Sequence, residues 1–261
     1  MDLSGKAAIV TGSATGVGAA SALRLARKGC NVVINYTKSE AEAEETAAAC
    51  RDAGAEAIVV QGDVSDDDAC RALAEAAVGK WGRIDGLVNN AGTTKFVEQS
   101  NLDGLTGEDF LKLTAVNVVG PFQMIRAVAP HMKAAGGGSV VNISSVAGVT
   151  GIGSSVAYAS TKGALNTMTL SLARVMGPEI RINTICPGMI QSRWLQQGLG
   201  QERYDKLLHS QQTNLPLRRV ATPDDIADAV VWFLEAGELV TGEILLVDGG
   251  QHLGYAPLKA R

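Results

Sequence analysis

The 261-residue chain has no apolar run approaching the roughly 20 residues a membrane-crossing helix needs. It also lacks metal-binding and redox spacings. Its four cysteines, Cys30, Cys50, Cys70 and Cys186, are scattered without a C-x-x-C, and its three histidines, His131, His209 and His252, are equally dispersed. We therefore expect no bound metal, and thiols kept reduced in a cytoplasm. A surplus of positive charge is missing too: 23 Lys and Arg against 27 Asp and Glu leave a net charge of −4. That balance excludes the broad basic surface of a nucleic-acid binder. The start of the chain enters a strand-like run within six residues, without the basic and apolar regions of a secretion signal. Aromatics are scarce at 4%, so any core must be aliphatic.

What is abundant fits that core. Hydrophobic residues reach 46%, and 30 glycines supply tight turns, the mixture of an α/β domain rather than of a disordered chain. The length suits one domain spanning residues 1–261.

Strand-like and helical periods alternate along the chain. Lys6 to Thr11, KAAIVT, runs straight into GSATGVG and then a helical pattern, which predicts strand, glycine turn and helix. Gly12, Gly16 and Gly18 allow the backbone to approach a pyrophosphate, whose charge the helix N-terminus then meets. Asn31 to Tyr36 predicts a second strand. Its end carries Tyr36, Thr37, Lys38 and Ser39, with no carboxylate before Glu40. An acidic residue there would suit the 2′-hydroxyl of NAD, whereas positive charge and hydroxyls suit a 2′-phosphate; we expect NADP(H), with NAD(H) as the alternative. Lys38 is otherwise a solvated residue at a helix start. Residues 39 to 53 predict a helix whose glutamates form a solvated face.

Glu56 to Gln61 predicts a third strand leading to Asp63 and Val64, where Asp63 either accepts from an adenine amino group or caps a helix beginning near Ser65. Ile84 to Asn89 predicts a fourth strand, followed by Asn90, Ala91 and Gly92, small enough for backbone to lie against a cofactor ribose. Residues 106 to 135 are mostly helical in period and enclose Asn117 among valines, where a buried amide must find a partner. Ser139 to Ile143 predicts a fifth strand, Ile180 to Cys186 a sixth before the Pro187-Gly188 turn, and Glu243 to Val247 a last one. Met189 to Gln212 is less periodic, and we expect a substrate lid over about residues 189–213. Pro223 to Leu234 predicts a helix with Thr222 as N-cap. Alternating strands and helices of this kind predict one doubly wound Rossmann sheet of about seven strands, mostly parallel, with helices on both faces.

The chemistry concentrates in NISSVAGVTGIGSSVAYASTK, from Asn142 to Lys162. Tyr158 and Lys162 are four apart and so share a helix face, where an ammonium favours phenolate over phenol. Ser145, past a strand end, can hydrogen-bond a substrate oxygen.

Together these residues resemble the short-chain dehydrogenase/reductase family over roughly residues 4 to 252, most closely its bacterial 3-oxoacyl-carrier-protein-reductase-like members. TGSATGVG is similar to the family's cofactor motif, which brings Ser13, Thr15 and Val17 in with the glycines. Asp63-Val64 resembles its adenine site, and NNAG at 89 to 92 its strand-stabilising motif. Pro187-Gly188 with Ile190 resembles its nicotinamide-side turn, and Ser192 stands where a threonine is usual. Asn117, Ser145, Tyr158 and Lys162 match its catalytic tetrad, Ser145 being chosen over Ser144 because it lies thirteen residues before Tyr158. The resemblance implies hydride transfer between nicotinamide and a small-molecule ketone or secondary alcohol. Tyr158 is then the proton donor or acceptor, Ser145 polarises the oxygen, Lys162 holds the nicotinamide ribose, and Asn117 positions a relay water. It also implies a homotetramer. The alternatives are a 3-oxoacyl-carrier-protein reductase and a catalytically silent dinucleotide-sensing protein.

Overall fold

The computed structural model describes residues 1–254. Its strands are β1 Ala7–Val10, β2 Asn31–Tyr36, β3 Ala57–Gln61, β4 Gly86–Asn89, β5 Gly138–Ile143, β6 Ile180–Pro187 and β7 Ile244–Val247. They form one seven-stranded sheet in the order β3-β2-β1-β4-β5-β6-β7. All six pairings are parallel, so the mostly parallel sheet expected from the sequence is parallel throughout its described strands.

Between the strands lie α1 Gly16–Arg27, α2 Glu40–Asp52, α3 Asp67–Trp81, α4 Gly107–Thr114, α5 Gly120–Ala134, α6 Ala147–Thr150, α7 Val156–Met176, α8 Arg193–Leu199, α9 Gln201–Asn214 and α10 Pro223–Glu235. They cover both faces. The period-2 alternation of each strand explains how: Ala8 and Val10 belong to one apolar layer with Leu25 and Phe233, while Ile9 between them joins Leu73, Met124 and Ile182 in the other. Strands buried on both sides read as unbroken apolar runs.

Capping signals set helix starts. Thr222 and Asp225 form a reciprocal capping box at α10, with Pro223 in its first turn, as the sequence implied. At α3 the expectation needs correction: the helix starts at Asp67, and its N-cap is Asp66, which accepts from the Asp68 amide at 3.0 Å. The period between 106 and 135 is not one helix either. A π-helical turn, Ala115–Val119, separates α4 from α5 and carries Asn117. The segment after Met189, read as less periodic, folds into α8 and α9; its polar sequence leaves few buried side chains, Tyr204 and Gln211 among them, so no apolar stripe marks it as helix.

Two features of the sheet matter for function. Strand order reverses between β1 and β4, which opens a crevice at the C-terminal ends of the strands. Beneath that edge runs a buried polar chain: Asn89 Nδ2 donates to Asn142 Oδ1 at 2.9 Å, Asn142 Nδ2 to Thr169 Oγ1 at 2.9 Å, and the Thr169 and Thr184 hydroxyls are 2.6 Å apart. It ties β4, β5, α7 and β6 together. Asn142→Ala should leave the buried Asn89 amide short of its acceptor and cost about 1–3 kcal/mol, read as a lowered urea midpoint with an unchanged slope.

Candidate active site

At the strand-order reversal, the glycine turn is built mainly by internal bonds. Asn90 Nδ2 donates to the carbonyls of Thr11 and Gly12, each at 2.9 Å, while Thr11 Oγ1 accepts from the Asn90 and Ala91 amides at 3.0 Å. Asn35 Oδ1 accepts from the Gly12 amide at 3.0 Å. Gly12 has φ 60°, and a Cβ on Gly18 would lie 2.5 Å from the Gly12 carbonyl oxygen, so side chains are excluded from both. Ser13 is fully buried, its hydroxyl donating to the Val10 carbonyl and accepting from the Asn35 amide. It shapes the turn and presents no hydroxyl to the crevice.

The opposite holds at the start of α1. Thr15 and Gly16 are exposed, Thr15 is extended with no capping bond from its side chain, and no acidic residue lies in the first turn. The helix N-terminus is therefore left to meet an anion, which fits a dinucleotide pyrophosphate. Val17 is partly buried behind it.

Beyond β2, Lys38 is exposed and Ser39 is the N-cap of α2 with no side-chain capping bond. Both are open to a phosphate, although burial and the neighbouring Glu40 carboxylate raise the Tyr36 phenol beside them. Asp63 does not cap α3; its Oδ1 accepts from the Ser65 amide at 2.9 Å and hydroxyl at 2.7 Å. Val64 is buried under α5, and its carbonyl accepts from Gln123 at 2.9 Å.

The tyrosine and lysine lie on α7. Ser155 caps this helix by accepting from the Tyr158 amide at 3.2 Å. Lys162 is only 4% exposed, and its Nζ donates to the Ile143 carbonyl at 2.9 Å and lies 5.6 Å from the Tyr158 ring centre. Burial pushes the Lys162 ammonium down to about 8, against the opposing pull of the Cys186 thiol. Burial likewise pushes Tyr158 up to about 12, with the Ser145 hydroxyl acting to lower it and Cys186 to raise it. The expectation that the ammonium would favour phenolate is thus overturned for the protein alone: desolvation acts on both groups and favours their neutral forms.

The two serines separate cleanly. Ser144 is buried and donates to the Lys162 carbonyl at 3.1 Å, whereas Ser145 is partly exposed, accepting from the Ala147 amide at 3.1 Å with its hydroxyl beside the Tyr158 phenol. Asn117 is buried. Its Oδ1 accepts from the Thr93 amide at 2.8 Å, and its Nδ2 donates to the Thr93 carbonyl at 2.9 Å and to Thr161 Oγ1 at 3.0 Å. Gly92 leaves a gap beside it: a Cβ there would lie 3.4 Å from Asn117 Oδ1 and 3.7 Å from Lys162 Nζ.

On the far side, Pro187 ends β6 and its carbonyl accepts from the Val146 amide at 2.8 Å. A Cβ on Gly188 would meet Gln251 Oε1 at 2.7 Å, and Ile190 forms an isolated bridge to Ala221. Ser192 caps α8, accepting from the Leu195 amide at 3.4 Å. From the segment after β4, the Phe96 ring packs over Gly198 of α8 and 5.7 Å from Trp194, while Thr94 and Ser154 share a 2.6 Å hydroxyl contact. Sequence reasoning missed Asn35 and Thr161. Only Asn35 left a signal, an amide inside the apolar run NVVINY.

Residues 12–252 match the family described as "Enoyl-(Acyl carrier protein) reductase". A candidate ketoacyl reductase 2 of the granaticin polyketide synthase of Streptomyces violaceoruber is 40% identical over 94% of this chain and 96% of its own. The chain belongs to the short-chain dehydrogenase/reductase family. A 7α-hydroxysteroid dehydrogenase of Clostridium sardiniense is 36% identical over 97% of this chain and 95% of its own. A solved structure from Burkholderia xenovorans, described as a candidate member of the same family, superposes with a TM-score of 0.89 at 37% identity over 95% of this chain and 98% of that one. The oxidoreductase therefore carries the family's sheet with the tyrosine and lysine at its C-terminal edge. Among the described residues no group of side chains has the arrangement of a metal site, and no helix is long and apolar enough to cross a membrane.

Burial of Lys162 makes a signed prediction about stability. Its folded value near 8 lies below the ordinary 10.5, so between those pH values the unfolded chain binds more protons, and stability rises with pH. Below pH 8 the penalty is fully present. Cys50, Cys70 and Tyr158 titrate in the opposite sense above pH 9, so the comparison should be made against Lys162→Met. Raising pH from 8 to 10 should stabilise the cofactor-free wild type relative to that variant by about 2 kcal/mol, measured by urea unfolding.

Proposed function

We propose that this family member is an NADP(H)-dependent oxidoreductase acting on a ketone or secondary alcohol, with Asn117, Ser145, Tyr158 and Lys162 as its catalytic group. The observation that carries this reading is the convergence of Tyr158, Ser145 and Lys162 beside a helix N-terminus that lacks both a capping side chain and acidic residues. The dinucleotide lies along Gly12, Thr15, Gly16, Val17 and Gly18, with Asp63 and Val64 at the adenine, and Asn90, Ala91, Gly92, Tyr158 and Lys162 at the nicotinamide ribose. Pro187, Gly188, Ile190 and Ser192 border the nicotinamide. Tyr36, Lys38 and Ser39 read the 2′-phosphate, Lys38 and Ser39 being free of internal bonds that would compete. A bound nicotinamide supplies or accepts the hydride.

The protein's own part is proton handling. In reduction, Ser145 Oγ donates a hydrogen bond to the carbonyl oxygen, and Tyr158 Oη gives that oxygen its proton as it becomes an alcohol. A neutral phenol, which burial enforces, is the state needed to donate. Lys162, its ammonium softened by burial, passes a replacement proton toward the tyrosine, with Asn117 holding the water that supplies it. Oxidation reverses each transfer. Residues 189–213 act as the lid, the Phe96 and Trp194 rings giving it an apolar inner contact suited to an apolar carbonyl compound.

The carrier-protein reading is kept by the ketoacyl reductase relative. An acidic carrier calls for basic side chains to meet it; of the scattered candidates Lys95, Arg193, Arg218 and Arg219, Lys95 is paired with Asp109 at 2.7 Å and Arg219 with Asp225, which leaves Arg193 and Arg218. One experiment separates the readings: wild type and Tyr158→Phe are given NADPH or NADH with a panel of ketones, a steroid ketone and a 3-oxoacyl thioester on free and carrier-bound pantetheine. We expect turnover with NADPH over NADH and loss of at least about 10²-fold in kcat for the variant, with NADPH binding retained. Preference for NADH overturns the use of Lys38 and Ser39, preference for the carrier-bound thioester establishes the alternative, and tight binding without turnover leaves a dinucleotide sensor.

Apolar side chains exposed on α4, α5 and α7, among them Leu111, Phe122, Leu170 and Val175, and on α10, where Trp232 is 46% exposed, support a homotetramer packed across two two-fold axes. Four free, buried cysteines suit a reducing cytoplasm. Light scattering should give the mass of four chains, and a monomer would refute the assembly.

A further inference from the structure

Phe96 is presented from a segment held firmly on both flanks. Thr94 Oγ1 lies 2.6 Å from Ser154 Oγ, the Val97 amide donates to the Ser154 carbonyl at 2.9 Å, and Lys95 Nζ donates to Asp109 of α4 at 2.7 Å. Ser154 directly precedes Ser155, the cap of the helix that carries Tyr158. The ring therefore belongs to the same wall of the site as the tyrosine. On the other side, the chain leaving the Pro187-Gly188 turn is pinned at Gln191, whose amide donates to the Ala221 carbonyl at 2.9 Å and whose side chain donates to the Val220 carbonyl at 3.1 Å. Its return is pinned at buried Leu215 and at the Leu217 amide, which donates to the Gly249 carbonyl at 3.2 Å. Between those pins α9 buries Tyr204 and Gln211, whereas none of the α8 side chains is buried. What α8 offers instead is a notch. A Cβ on Gly198 would fall 2.0 Å from Phe96 Cε2, 2.3 Å from Cζ and 2.7 Å from Cδ2, so the ring fills the space a side chain there would need. Gly198 sits inside α8 and is not among the glycines of positive φ, so its backbone does not require glycine; the ring does. Trp194, four residues earlier on the same helix face, meets that ring at 5.7 Å between centres and 54° between planes.

We propose that Phe96 is the latch of the lid: its ring, seated in the Gly198 notch against Trp194, holds α8 to the wall that carries Tyr158, and substrate enters when the ring leaves the notch. The latch stands on the ring geometry, while its effect on turnover rests on the oxidoreductase reading above. Trp194 stays 48% exposed in the contact, so the latch is half solvated and opens without unpacking the core. Once it opens, no buried side chain of its own keeps α8 in place, and the pinned ends at Gln191 and Leu215 return it to the notch. The notch also explains why the ring and the helix have to match. A larger residue at 198 displaces the ring, and a smaller one at 96 leaves the notch empty.

The test compares wild type, Phe96→Ala, Gly198→Ala and the double variant by backbone amide exchange in the cofactor-free protein, read on peptides covering residues 193–199. Phe96→Ala should exchange there about tenfold faster. Gly198→Ala should also accelerate exchange, because the methyl unseats the ring, even though alanine by itself favours a helix. With Phe96 already removed, the same Gly198→Ala should leave exchange unchanged or slow it, since the methyl then meets no ring. Peptides from β5 and α10 should exchange as in wild type throughout. Unchanged exchange at 193–199 in either single variant overturns the latch. So does further acceleration in the double variant, or an acceleration shared by β5 and α10, which marks a loss of global stability. With a ketone that wild type reduces, each single variant should raise KM by about fivefold with a smaller change in kcat, and the double variant should do no worse than Phe96→Ala. Unchanged KM beside faster exchange overturns the role in substrate entry. If wild type reduces no carbonyl compound, the functional reading fails, and the exchange pattern still decides the latch.

Discussion

The Lys162 ammonium is taken almost entirely out of water, and among the described residues it donates one hydrogen bond, to the Ile143 carbonyl at the end of β5. Burying an ion in this way costs several kcal/mol even after relaxation, so its surroundings have to hold it firmly. They do so by stacking polar contacts around the top of α7. Ser144 donates to the Lys162 carbonyl, Ser155 caps the first turn of the helix, and the Asn142–Thr169–Thr184 chain fixes its middle to β5 and β6. The same burial that makes the lysine costly moves its titration toward neutrality and keeps the tyrosine protonated.

The glycine turn at the other side of the crevice follows a complementary logic. Thr11, Ser13, Asn35 and Asn90 satisfy the backbone of the turn from within, so it holds its shape without a ligand. At Thr15 and Gly16 that internal support stops, and helix N–H groups face outward without a capping side chain. Rigid backing and an uncapped helix end together suit an anion, which would find the turn already organised. The lysine and the glycine turn are joined by the segment that leaves β4, which supplies Asn90 to the turn and Gly92 beside Asn117 and Lys162.

Sequence reading falls short where the deciding partner is distant along the chain, where a short polar turn replaces a cap, and where a helix buries too little to show a period. The pairing of Tyr158 with Lys162 was visible because four residues on a helix define a shared face, yet the direction of their titration was not. Desolvation depends on Ile143, Ser145 and Cys186 gathering around them. Asp63 was read as an adenine contact or a helix cap, and its short-range turn with Ser65 left the capping to Asp66. The segment after Met189 reads as less periodic because α8 and α9 bury so few side chains that no apolar stripe distinguishes them from loop.

By itself the sequence determined the alternation of strands and helices, hence the doubly wound sheet, together with the positions of the glycine turn and of Ser145, Tyr158 and Lys162. These follow from periodicity and spacing, which act over a few residues. Only the tertiary structure decided that Ser13 and Ser144 face inward while Ser145 faces the crevice, that a π-helical turn interrupts residues 106–135, and that Thr161 bridges Asn117 to Tyr158. Each of those depends on which group accepts or donates a buried hydrogen bond, and such partners come from strands and helices that only folding brings together.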